Sequence, residues 1–283
     1  MTAPKTAVIR DGNGKEVPMN PFESLDVPNG AVGIHWFGQS SYGLKDTADT
    51  VVLADPYFPH DRPADTFIHP EPPLDEASLP TDFVLLTHDH GDHTHPETLR
   101  RIAAAYPQAR YVGPPDSIAH MKTCGMDEQR MCPVEAGSTA VMGTMTAHAV
   151  WAKPPKGNPE NGIDPPNTPH LGYVIEAGDV RVYLSGDPIN TFDSHDDLIR
   201  PIRNLHPDVG LLTNHPSEGE FPFFDGCARM AAGIGLKDAV PAHYDCFVER
   251  TYDPRDWARA VAGAGVTPII LPYDSSIVYP TAN

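Results

Sequence analysis

The stretch Thr87-His88-Asp89-His90-Gly91-Asp92-His93 constrains this chain more than any other part of it. It follows directly on the apolar run Phe83-Val84-Leu85-Leu86, which reads as a buried strand. Imidazole nitrogens and carboxylate oxygens are the ligands that divalent transition metals take. In the order His-x-His-x-Asp-His they can serve two ions. His88 and His90 are expected to face one ion, and Asp92 and His93, from the first turn of a helix, its neighbour. The plain alternative is a solvated, histidine-rich loop. Against it stands the position: strand end, glycine turn, helix start.

The chain has 283 residues, 40% of them hydrophobic, enough for one large core. No run approaches the roughly 18 apolar residues of a membrane span. Residues 1–29 lack the apolar segment of a signal peptide. A soluble, cytoplasmic protein is expected. The formal charge of −18, with no Lys/Arg run, excludes nucleic acid as a partner and leaves a small-molecule substrate. A homo-oligomer is compatible with all of this. Cys124, Cys132, Cys227 and Cys246 form no C-x-x-C pair, and no disulfide framework is expected. Cys246, three residues after His243, reads as a buried structural thiol.

Residues 1–30 read as an N-terminal extension with a small hairpin, Val8 to Arg10 and Lys15 to Val17 around Asp11-Gly12-Asn13-Gly14. Residues 31–283 read as one catalytic domain. Its expected strands are Val32 to Gly38, Ser40 to Leu44, Thr50 to Ala54, Asp82 to Thr87, Arg110 to Gly113, Met131 to Val134, Ser138 to Trp151, His170 to Ile175, Val180 to Leu184, Asp208 to Leu212, and a last one at Val266 to Leu271. Asp238 to Pro241 leads into His243. Expected helices are Pro96 to Tyr106, one capped by Asp116-Ser117 through Met121, Asp197 to Leu205, Asp225 to Ile234, and Arg255 to Ala264. Tyr57 to Pro80 is expected as a long surface loop, and Lys153 to Pro169, with six prolines, as an extended insertion. In each half strands come first and helices follow. That order predicts an α/β, αββα sandwich: two mixed β-sheets face to face, with helices outside.

A metal pair needs more ligands than one motif supplies, so the rest are sought at later strand ends. Asp187 follows Leu184-Ser185-Gly186, and a carboxylate there could bridge both ions. His243 follows the apolar Val240-Pro241-Ala242. His215, after another strand end, is a candidate for substrate contact or general acid. Two ions about 3.5–4 Å apart can hold a hydroxide between them and polarise the oxygen under attack. Asp92 or Asp187 would orient that nucleophile and take a proton. There is no Gly-x-Ser-x-Gly elbow.

Trp36-Phe37-Gly38, Asp55-Pro56, the His88 to His93 motif, Ser185-Gly186-Asp187 and Pro241-Ala242-His243 occur in the order found in metallo-β-lactamase-fold hydrolases. Over roughly residues 31–280 the chain resembles this superfamily, most of all the branch of L-ascorbate-6-phosphate lactonase and its relatives. The resemblance implies a site for two divalent metal ions, zinc or manganese. His88 and His90 match its ligands for the first ion. Asp92, His93 and His243 match those for the second, Asp187 matches the bridging aspartate, and Asp55 matches an aspartate beside the site. The third first-ion ligand departs from the pattern, because its usual place falls near Lys153-Pro154. His170 is the favoured substitute and His148 the alternative, with an open or water-filled position as the third option.

The residues therefore predict a metal-dependent hydrolase, and the resemblance points to an ester bond, foremost a sugar-derived lactone. A phosphodiesterase of the same fold, phospholipase-D-like, is the first rival. A metal-dependent binding protein without turnover is the second.

Overall fold

The computed structural model describes residues 9–10, 16–17, 20–157, 164–216 and 219–281. Sixteen strands and five α-helices follow one another among them. In chain order the first eight strands are β1 (Ile9–Arg10), β2 (Glu16–Val17), β3 (Val32–Trp36), β4 (Tyr42–Lys45), β5 (Val51–Ala54), β6 (Phe83–Leu85), β7 (Arg110–Gly113) and β8 (Met131–Pro133). The second eight are β9 (Thr139–Met142), β10 (Met145–Trp151), β11 (Leu171–Ala177), β12 (Val180–Leu184), β13 (Val209–Thr213), β14 (Asp238–Ala242), β15 (Thr267–Pro268) and β16 (Ser275–Tyr279). The helices are α1 (Pro96–Ala105), α2 (Pro115–Thr123), α3 (Asp196–Arg203), α4 (Phe224–Ile234) and α5 (Pro254–Gly263).

Two seven-stranded sheets form, ordered β16-β3-β4-β5-β6-β7-β8 and β15-β14-β13-β12-β11-β10-β9. Each is antiparallel at one end and parallel at the other. Their facing sides meet in one core, with Ile34, Trp36, Leu44 and Leu85 from one sheet and Ala147, Tyr173, Ile175 and Leu211 from the other. The outer face of the second sheet packs on α3, α4 and α5 through Tyr183, Ile199, Met230 and Trp257. The outer face of the first packs on α1 and α2 through Leu53, Leu99, Ile102 and Ile118. This is the expected αββα sandwich, two mixed sheets with helices outside. The apolar alternation of the strands and the apolar stripes of the helices leave only this layering to bury both sheet faces.

Several expected elements differ. Ser138 to Trp151 is not one strand but the hairpin β9–β10, because Gly143-Thr144 makes a two-residue turn with Gly143 at φ +63°. Val266 to Leu271 is not the last strand. Only Thr267–Pro268 pairs there, and Pro268 and Pro272 limit further pairing. The last strand is β16, which returns to the first sheet beside β3. In α2, Asp116 lies inside the first turn, and Pro114 is the cap residue with no side-chain cap. The segment from Tyr57 to Pro80 is not a surface loop throughout. Phe58, Leu74 and Leu79 join the core under α1, and the buried Glu76 pairs with Arg101 of that helix. Ile9 and Arg10 pair with Val17 and Glu16 as the N-terminal hairpin requires, while Val8 and the turn at 11–15 lie outside the described residues. Residues 158–163 of the proline-rich insertion lie outside them too.

At one end of the sandwich the carboxyl ends of β3, β5, β6, β12, β13 and β14 come together with the start of β11. Parallel strands present their chain ends to a ligand crevice in this way.

Candidate metal centre

Three overlapping clusters of ligand atoms form at that end: His88 with His90 and His170; His88 with His93 and Asp187; and Asp92 with His93 and His243. Within each cluster the atoms lie within 4.8 Å of one another. His170, at the start of β11, stacks on His88 at 4.1 Å between ring centres. His148 does not reach the site. The alternation of β10 turns Ala147 and Ala149 into the core between the sheets and His148 to the helix side, where its Nε2 lies 3.5 Å from Glu176. Asp187 is carried there by Gly186, at φ +56°, where an added Cβ would lie 2.4 Å from the Leu171 carbonyl.

The imidazoles are aimed by their other nitrogens. His93 Nδ1 donates to Asp55 Oδ2 at 2.8 Å. Thr87 Oγ1 donates to the same oxygen at 2.6 Å and accepts from His88 Nδ1 at 3.0 Å. His170 Nδ1 donates to the Thr168 carbonyl at 2.8 Å, and His90 Nε2 to Asn167 Oδ1 at 3.1 Å. That leaves His88 Nε2, His90 Nδ1, His93 Nε2 and His170 Nε2 facing one another, the arrangement in which outer hydrogen bonds orient metal-binding histidines. His93 Nε2, His170 Nε2 and Asp187 Oδ1 are buried and have no hydrogen-bond partner among the described residues. Buried polar atoms are otherwise nearly always paired, so a bound group is what these donors fit.

The carboxylate oxygens lie close to the ring nitrogens. Asp187 Oδ2 lies 3.6 Å from His88 Nε2, 3.4 Å from His93 Nε2 and 3.6 Å from His243 Nε2. Asp92 Oδ2 lies 3.7 Å from His93 Nε2 and 3.5 Å from His243 Nε2. Four edges of the group Asp92, His93, Asp187 and His243 thus measure 3.4–3.7 Å. Asp187 is shared between this group and the one around His88.

Charge divides the site. Burial would raise the carboxyls of Asp92 and Asp187, but His93 and His243 outweigh it and hold both well below the usual range. Burial would lower His93, but Asp187, Asp92 and Asp55 outweigh it and hold its imidazole well above the ordinary value. On the other side burial, aided by the neighbouring imidazoles, pushes His88 down, and burial with Lys153 brings His170 to about 3.

His215 follows β13 and is buried, with its N–H on the Pro222 carbonyl and its ring 5.8 Å from Tyr252. It belongs to none of the three clusters. Asp89, inside the motif, accepts from His120 at 2.8 Å instead of joining them. The strand-end reasoning missed Gln39, directly after Trp36-Phe37-Gly38. Its Nε2 lies 2.9 Å from Asp92 Oδ2 and 3.0 Å from His243 Nε2. It also missed the cavity of about 510 Å³ beside Asp92, lined by Tyr57, Asp65, Thr66, Gly91, Phe247, Glu249 and Arg250. Its wall is made by two loops zipped together at Phe67 and Phe247.

Residues 50–244 match the family model of the β-lactamase superfamily domain. A metal-dependent hydrolase of Halorubrum lacusprofundi is 26% identical over 264 residues, covering 86% of this chain and 94% of that protein. A metallo hydrolase from the archaeon Ignicoccus hospitalis superimposes with a TM-score of 0.66 at 18% identity, over 89% of this chain and 100% of that one. A diiron β-hydroxylase from Streptomyces venezuelae superimposes with a TM-score of 0.64 at 16% identity, over 88% of this chain and 54% of that one. The same sandwich therefore occurs in proteins of different chemistry, and the fold alone does not fix the reaction.

Proposed function

The chain belongs to the β-lactamase superfamily as a metal-dependent hydrolase, and we propose that it opens an ester bond, foremost the cyclic ester of a sugar-derived lactone. One observation carries the choice of bond. The cavity beside Asp92 presents Asp65, Glu249 and Asp92 against one cation, Arg250. A neutral ester enters such a rim without the repulsion that the negative charge of a phosphodiester meets.

We assign His88, His90 and His170 to a first divalent ion and Asp92, His93 and His243 to a second, with Asp187 between them. Zinc and manganese both suit this mixed nitrogen and oxygen set. When bound, such a pair lowers the pKa of water toward neutrality and polarises the oxygen under attack. The protein's own part is orientation and proton handling. Asp55 and Thr87 fix His93 and His88. Asp92 or Asp187 would orient the attacking water and later take its proton. Tyr57 and Phe247 offer apolar faces to the part of the substrate away from the ester. His215 is proposed to reach the substrate or return a proton to the leaving oxygen.

A second reading, hydrolysis of a phosphodiester, is favoured by Arg250, since guanidinium pairs well with phosphate. Turnover of a panel of sugar lactones against bis-p-nitrophenyl phosphate, with the metal-loaded protein, separates the two. Lactone opening with little phosphodiester cleavage is expected, and the reverse ratio overturns the ester reading.

A further inference from the structure

We propose that Gln39 is a positioning residue for the second ion: its carboxamide holds Asp92, its backbone carbonyl holds His243, and the carboxamide sets how tightly that ion is bound. The proposal rests on the two-ion reading above. Gln39 is buried in the turn after β3, at φ +51°. Its backbone is tied across the sandwich. Gln39 N donates to the Tyr244 carbonyl at 3.1 Å, His243 N donates to the Gln39 carbonyl at 3.0 Å, and Trp36 Nε1 donates to that carbonyl at 3.0 Å. His243 also has a positive φ, +68°. Non-glycine residues in this region are strained and persist only where the surroundings dictate them. Here the dictating contact is the bridge between Gln39 and Tyr244.

That bridge delivers the side chain. A carboxamide nitrogen has two N–H donors. From one position Gln39 Nε2 reaches Asp92 Oδ2 at 2.9 Å and His243 Nε2 at 3.0 Å, two atoms that lie 3.5 Å apart. Asp92 Oδ2 has a second lone pair left for an ion while it accepts from Gln39, whereas His243 Nε2 has only one, so the carboxamide positions Asp92 and the backbone bond from His243 N to the Gln39 carbonyl positions His243. His93 is aimed by Asp55, and His170 by Thr168. For Asp92 the corresponding partner is Gln39, whose N–H selects the oxygen that faces His93 and His243. No equivalent contact reaches His88, His90 or His170 from Gln39 among the described residues, so its influence is confined to one ion.

The test is stepwise Co(II) titration of the chelator-stripped full chain, with metal counted by elemental analysis and coordination followed in the visible spectrum. Gln39→Leu keeps the backbone bridge and removes the carboxamide. It should weaken the second equivalent about 10–100-fold, the usual cost of losing an outer partner, change its Co(II) spectrum, and leave the first equivalent as in wild type. Gln39→Glu puts a carboxylate beside Asp92, which a cation relieves, and should bind the second equivalent more tightly than wild type. A Gln39→Leu protein with both affinities and the spectrum unchanged overturns the proposal. Should that variant fail to fold, Gln39→Glu with unchanged second-step affinity overturns it equally. Wild type that takes up a single equivalent overturns the two-ion reading itself, and the proposal with it.

Discussion

The two halves of the centre are built from one motif yet differ in electrostatics. Around His88, His90 and His170 the donors are imidazoles, and burial keeps those of His88 and His170 neutral. Around Asp92, His93, Asp187 and His243 two ionised carboxylates sit beside an imidazole they hold protonated. The first half is ready for a cation as it stands. The second half balances its own charge with a proton, which a cation must displace. Asp92 and His93 lie in a turn that ends before α1 begins at Pro96, not in its first turn as expected, and with His170, Asp187 and His243 from other strand ends the motif forms two groups of ligand atoms of different character.

Asp187 is where the comparison breaks most completely, because its Oδ2 lies 3.4–3.6 Å from nitrogens of both halves. Asp187→Ala should lose at least one metal equivalent and depress hydrolysis by more than the about 10–100-fold that removal of an outer partner costs. His88→Ala should do the same from the other side. Wild-type turnover in either variant contradicts the assignment. His170→Ala should act on one half only: one equivalent lost, the other bound as in wild type, counted by elemental analysis. His148→Ala should leave both in place, since His148 faces Glu176 and α3. Loss of both equivalents in His170→Ala would mean that the halves are not separable.

The pH dependence should separate them next. His93 is raised, so below its folded value the metal-free second half carries a proton there. Uptake of an ion releases that proton, and affinity rises with pH by about tenfold per unit for one proton displaced. His88 and His170 are lowered, so neither of these imidazoles holds a competing proton at neutral pH. Between pH 6 and 8, titration calorimetry in buffers of different ionisation heat should find proton release in the second binding step and little in the first. Equal release in both steps would erase the distinction.

What could be read from the sequence follows the same physical line. His88 to His93 are consecutive, so no folding is needed to see them together. Asp187 and His243 were legible because each ends an apolar strand, and layered sheets bring strand ends to one edge. The choice of His170 over His148 depended on which face of β10 turns inward, and the alternation of Ala147 and Ala149 already contained that answer. Gln39 was not legible. Its part depends on a left-handed backbone and on His243, 204 positions away, and neither leaves a local pattern. β16 escaped for a related reason. Ser275 and Ser276 blunt its apolar signal, and its partner β3 lies at the other end of the chain. The loop from Tyr57 read as solvated because its prolines and charges hide the few side chains, Phe58, Leu74 and Leu79, that anchor it.

The smallest effect concerns sulfur. Cys246 lies three residues beyond His243, near Asp92 and Arg62, so the second half has a thiol close by. Burial pushes that thiol up to about 12, and burial does the same to Cys227 under α5, where Trp257 donates to its sulfur. A thiol, unlike a thiolate, is neither nucleophile nor good ligand at neutral pH. Cys124 and Cys132 are only half-buried. Iodoacetamide at pH 7.5 should therefore label Cys124 and Cys132 first, as read by peptide mass mapping, and reach Cys227 and Cys246 only after denaturation. Hydrolysis and metal content should be unchanged by the labelling of the folded protein. Alkylation of Cys246 in the folded, metal-stripped chain, with loss of the second equivalent on reloading, would make sulfur part of that half. The contrast would then no longer be carboxylate against imidazole alone.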